Sequence, residues 1–82
     1  MEVTLYHPDA PCPKCTRTKA LFEKDGIPYT SVIADETLIK QFQEEGHMSY
    51  PVVRVDLGDG ATWSWSDLRV TEIKRLAELL AS

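Results

Sequence analysis

The chain's only two cysteines, Cys12 and Cys15, lie in the run "APCPKCTRTKALFEKDGI" at residues 10–27, where a proline-rich turn gives way to a helical pattern. A Cys-x-x-Cys spacing serves metal binding, a structural disulfide, redox exchange, or nucleophilic catalysis by one cysteine alone. In a helix, residues i and i+3 share a face at about 5–6 Å, so the two sulfurs can join when the first sits at the flexible end. As a structural staple such a bridge is poor, because so short a loop removes little entropy from the unfolded chain.

The helix start changes the acid chemistry. Unpaired N–H groups and the macrodipole favour negative charge there, so a thiol at Cys12 is expected to ionise more easily than a free cysteine. A thiolate is the form that attacks a disulfide. Cys15, a turn further in, has less access to those N–H groups and to solvent, which suits the thiol that resolves a mixed disulfide. Pro13 and Lys14, between the cysteines, are candidate substrate contacts; Lys14 either adds positive charge beside the pair or is a plain solvated lysine. Zinc is the competing chemistry. A tetrahedral structural site needs four ligands, and Cys12, Cys15, His7 and His47 are the only Cys and His residues present. The count fits, but the two histidines lie far apart in sequence and lack the paired spacing of zinc modules.

The elements that must position these residues follow from pattern. In "EVTLYH", Val3 and Leu5 alternate with Thr4 and Tyr6, a first strand that Pro8 interrupts. Pro13 suits a first helical turn, and Asp25-Gly26 ends that helix, whose apolar side is expected from Ala20, Leu21 and Phe22. "IPYTSVI" at 27–33 reads as a second strand. Asp35 can cap a second helix carrying Leu38, Ile39 and Phe42, with Gly46 as its stop. "YPVVRVD" at 50–56 and "ATWSW" at 61–65 form a third and fourth strand around the turn "LGDG". Ile73, Leu76, Ala77 and Leu80 then make the stripe of an amphipathic helix. The order is β-α-β-α-β-β-α. The opening β-α-β requires parallel strands and the short turn an antiparallel pair, so the sheet is mixed and four-stranded, flanked by helices in an α/β fold.

At 82 residues there is room for a single domain over 1–82. The share of hydrophobic residues, 43%, is that of a folded globular chain rather than a disordered one. A net charge of −4 argues against a nucleic-acid partner. No basic stretch followed by an apolar core opens the chain, and no apolar run is long enough for a bilayer, so the expected location is the cytoplasm. Thiols are kept reduced there, which favours metal or redox chemistry for the cysteine pair.

The first strand, Cys-Pro-Lys-Cys at a helix N-terminus, and Tyr50-Pro51 opening the third strand together resemble the thioredoxin fold in its short glutaredoxin form, across nearly the whole chain. The resemblance implies a cis peptide bond before Pro51, beside the cysteines, and a backbone at Tyr50 that pairs with an incoming substrate segment. "WSDLR" at 65–69 is similar to the Trp-Ser-Gly-Phe-Arg-Pro signature of NrdH-type redoxins: Trp65, Ser66 and Arg69 match, while Asp67, Leu68 and Val70 depart. The Gly-Gly and acidic pair with which glutaredoxins hold glutathione is missing. Asp67 is either a remnant of that acidic site or a helix cap. Cys-Pro-Lys-Cys is nearer the glutaredoxin Cys-Pro-Tyr-Cys than the NrdH Cys-Val-Gln-Cys, and the stretch from Tyr6 to Cys12 lacks the lysine usual in both groups.

The resemblance implies a monomeric dithiol–disulfide oxidoreductase with no bound cofactor. Its electrons would come from NADPH through thioredoxin reductase and go to a protein disulfide, above all that of class Ib ribonucleotide reductase. A glutathione-dependent glutaredoxin is the alternative. Trp63 and Trp65 share one strand face, either packed under the last helix or, for Trp65 and Arg69, tying that helix near the cysteines. Apolar residues around Tyr50 and Pro51 are expected to offer a shallow docking surface.

Overall fold

A computed structural model describes residues 1–81. Four strands, β1 (Glu2–His7), β2 (Thr30–Ile33), β3 (Val52–Asp56) and β4 (Thr62–Ser66), alternate with three helices, α1 (Pro13–Lys24), α2 (Glu36–Glu44) and α3 (Val70–Ala81), in the order expected. The sheet runs β2-β1-β3-β4, with β1 and β2 parallel and the other pairs antiparallel. Among the described residues no helix is long and apolar enough to cross a membrane.

Period-two alternation sends successive residues of the central strands to opposite faces. Val3, Leu5, Val53 and Val55 pack with Phe22 and Ile27 from the α1 side and with Trp65, Ile73 and Leu76. Val52 faces the other way, onto Phe42 of α2 and Ala34, with Tyr6, Leu38 and Ile39 around them. So α1 and α3 cover one face and α2 the other. Arg54, on the α2 face, reaches Glu45 at 2.7 Å and lies 5.5 Å from the Phe42 ring centroid, which fastens the end of α2 to the sheet.

The helix ends follow their local chemistry. Asp35 caps α2, its Oδ1 accepting the Leu38 N–H at 2.9 Å. At the end of α1, Gly26 takes φ 68°, the Ile27 N–H donates to the Phe22 carbonyl at 2.8 Å, and both side chains enter the same core. This is the Schellman arrangement, in which a left-handed residue lets the chain turn back over the last helical turn.

Several expected positions differ. β2 starts at Thr30, not Ile27: Ile27 and Tyr29 are apolar because they pack on the core from the loop, not because they join a ladder. β3 starts at Val52, and β4 is shifted by one residue because the Ala61 carbonyl accepts the Leu57 N–H within the turn. Ala20 and Leu80 point to solvent; α1 instead buries Cys15, Thr18 and Phe22. Thr18 is fully buried because its hydroxyl donates to the Lys14 carbonyl at 2.8 Å, so its polar group is satisfied within the helix.

Candidate active site

Cys12 is the N-cap of α1, in extended conformation, and Pro13 opens the helix. The two sulfurs are joined as a disulfide, with the Cα atoms 5.2 Å apart. The Cys12 sulfur also accepts the Cys15 N–H at 3.2 Å, the place a serine or aspartate oxygen takes in an ordinary cap. The first turn of α1 carries no acidic residue of its own to oppose the positive end of the helix at the cysteines. The two environments are unequal: Cys15 is 3% exposed, while Cys12 is partly open to solvent.

The topology brings three separate segments to this end of the sheet. β1 ends at His7, β3 begins at Val52 opposite Tyr6, and Val52 also faces Ser66 at the end of β4. The Tyr50–Pro51 peptide bond is cis, as the sequence resemblance implies. Tyr50 is half-buried beside Phe42, and burial pushes its phenol above the usual tyrosine range, so it stays neutral at physiological pH. The Pro51 ring is fully buried. Exposed apolar area on that loop comes from Met48, 74% exposed.

Asp67 ties the segments together. Its N–H donates to the Pro51 carbonyl at 2.9 Å, extending the β3–β4 ladder by one step. Its Oδ1 accepts the Leu68 N–H at 2.8 Å and meets the Lys14 ammonium at 2.8 Å. The hydrogen bond from Lys14, followed by that from Leu68, holds its carboxyl below the usual carboxylate range. Asp67 also has φ 73°, a left-handed conformation that costs a residue with a Cβ more than it costs glycine. The glycine of the Trp-Ser-Gly-Phe-Arg-Pro signature is therefore intelligible at this position, and the aspartate here accepts backbone cost to place a carboxylate on Lys14.

Asp67 is not the cap of α3, which begins only at Val70; its carboxylate is engaged with Lys14 instead. The signal was available as two oddities: a lysine between the cysteines, and an aspartate where the signature has glycine. Ser66 pairs with Val52, and its carbonyl accepts the Arg69 Nε at 3.1 Å, which closes the turn leading into α3. Trp65 is 6% exposed and packs in the core with Ile73 and Leu76; Trp63 lies against it at 4.9 Å between ring centroids. Packing beneath α3 thus accounts for both indoles.

The zinc constellation does not assemble: among the described residues no three His, Cys, Asp or Glu side chains gather where they could hold a metal. His7 lies against the Pro8 carbonyl and His47 beside Ser64 and Phe42. A cleft of about 390 Å³, lined by Trp63, Ser64, Arg69 and Arg75 among others, includes neither cysteine.

A family model described as glutaredoxin matches residues 3–57. Among solved structures, the chain is similar to the glutaredoxin-like NrdH-redoxin of Escherichia coli, at 29% identity and a TM-score of 0.75, over 93% of this chain and 95% of that one. It also superposes on a trimeric glutathione transferase from Leishmania with a TM-score of 0.61 and 19% identity. That likeness covers 95% of this chain but 17% of the transferase, and shows the fold alone. No curated protein matches the sequence.

Proposed function

The chain belongs to the glutaredoxin family, as a glutaredoxin-like thiol–disulfide oxidoreductase, and from that premise we propose that it is a cytoplasmic, monomeric redoxin of 1–82 that carries electrons to a protein disulfide, that of class Ib ribonucleotide reductase. In the reduced protein, the Cys12 thiolate attacks one sulfur of the substrate disulfide. A Cys12–substrate bond forms, the substrate bond breaks, and the departing sulfur takes a proton. Cys15 then gives up its proton and attacks the Cys12 sulfur, which frees the second substrate thiol and leaves the disulfide seen here. The substrate gains two electrons and two protons in each cycle, one proton from Cys15 and one from solvent, as Cys12 starts as the thiolate. NADPH restores the two electrons through thioredoxin reductase, solvent completing the proton balance, and no cofactor is bound to the redoxin itself.

One observation carries the division of roles: the partly exposed cysteine is the helix cap, and its partner is buried. The helix terminus stabilises charge on Cys12, and burial keeps external disulfides from Cys15. In this reading Pro13, Lys14, Tyr50 and Pro51 contact the substrate, while Trp65, Ser66 and Arg69 support the structure behind the site. The choice of reductant is supported by the engagement of Asp67 with Lys14 and by the described thioredoxin-like activity profile of the Escherichia coli protein.

The test compares reduction of the Cys12–Cys15 disulfide by NADPH with thioredoxin reductase against reduction by glutathione with its own reductase. Rapid turnover with the first is expected. Turnover with glutathione alone would replace this reading by that of a glutathione-dependent glutaredoxin.

A further inference from the structure

Lys14 is the one cationic side chain between the two cysteines, yet its ammonium is directed to Asp67, 2.8 Å away. Among the described residues, the Cys12 sulfur accepts a hydrogen bond from the Cys15 N–H and from no side chain. Asp67 is held by more than this pair: its N–H is fixed on Pro51, its Oδ1 on its neighbour's N–H, and its backbone lies in the left-handed region. A carboxylate so fixed is a stationary anchor, whereas the lysine is a long flexible arm, 57% exposed.

We propose that Asp67 is a positioning residue which holds the Lys14 ammonium away from Cys12 and so limits how far the nucleophile's charge is stabilised. The proposal deepens the redoxin reading and rests on it. A cation beside a sulfur favours the thiolate, and stabilising the thiolate stabilises the reduced form of the couple. With Lys14 engaged by Asp67, the helix terminus is the principal stabiliser of the anion, and the couple stays more reducing than the lysine between its cysteines would make it. Reduced redoxin then gives its electrons away more readily. Other charged groups border this end of the sheet: Arg69 follows Asp67 and adds to the field on it, while His7, at the end of β1, and Asp9 precede Cys12 in the chain.

The experiment measures the pH dependence of Cys12 alkylation in the reduced protein, and its reduction potential, for Asp67→Asn, Lys14→Gln and the double variant. Asparagine tolerates the left-handed backbone, and Asp67→Gly, which removes both charge and strain, serves as a second version in case Asn disturbs the loop. Asp67→Asn should raise the thiolate-to-thiol ratio at a given pH about threefold, and raise the potential by about 14 mV for the same factor in a two-electron couple. Lys14→Gln should abolish that response, so that adding Asp67→Asn to it changes little. An equal effect of Asp67→Asn with and without Lys14 would show that Asp67 acts by its own charge, and no effect in either would show that it is structural; both overturn the proposal. Failure of the redoxin reading would appear elsewhere, as normal thiol titration without reduction of any protein disulfide.

Discussion

The backbone N–H of Cys15 points at the sulfur of Cys12 from 3.2 Å. The helix thus contributes to the redox pair twice, through the donor that a cap leaves available and through the burial that separates Cys15 from solvent.

The inequality of the two sulfurs gives the first prediction. Cys15→Ser should permit attack by Cys12 but not release, so a covalent complex with a disulfide substrate accumulates and disappears on adding dithiothreitol. Cys12→Ser should form none, because the remaining cysteine is only 3% exposed. Non-reducing electrophoresis with mass spectrometry reads both. A folded Cys15→Ser protein that forms no adduct with any disulfide would end the two-step scheme.

The cap of α2 gives the second. Asp35 Oδ1 satisfies the Leu38 N–H at 2.9 Å on an exposed surface, on the helix that covers the opposite face from α1. Asp35→Ala should cost about 1 kcal/mol of stability, the usual loss of an N-cap. The urea midpoint should fall while disulfide reduction keeps its rate. A comparable fall in activity would mean that α2 shapes the site in a way its position does not suggest.

The third concerns the far end of the cysteine-bearing helix. A Cβ at Gly26 would meet no atom within 4 Å, so Gly26→Ala tests backbone conformation without a clash. At φ 68° the substitution should destabilise by about 1–2 kcal/mol. Equilibrium denaturation measures this directly. No loss would imply that the Phe22–Ile27 closure survives a change of backbone, contrary to its geometry.

Fold and redox pair were legible because their signals are local. Alternation in "EVTLYH", Pro13 at a helix start and the Asp-Gly turn each depend on a few adjacent residues, and the order of elements then restricts the sheet. What escaped depends on residues distant in sequence. The buried Thr18 looks polar until its bond to the Lys14 carbonyl is seen, and Ile27 looks like a strand residue until its place over Phe22 is known. The Lys14–Asp67 pair joins residues that no periodicity relates, and only closure of the sheet brings them together.

That pair gives the last prediction, in its dependence on pH. The Lys14 hydrogen bond lowers the Asp67 carboxyl from its usual range, so the folded protein binds this proton less readily than the unfolded chain does. The pair's contribution is therefore fully present above the ordinary aspartate range, and it is lost as pH falls through the lowered folded value. Both groups are substantially solvated, so the contribution is small and weakens in salt. Urea titrations from neutral to acidic pH should show a steeper loss of stability in the native protein than in Asp67→Asn, with the difference shrinking at high ionic strength. Tyr50 titrates on the other side: its raised phenol keeps the folded state favoured below the normal tyrosine value, and that advantage disappears as pH rises through the folded value. The acid limb thus isolates Asp67 from Tyr50, and parallel acid limbs in the native and Asp67→Asn proteins would show that Lys14 does not hold the carboxylate in solution.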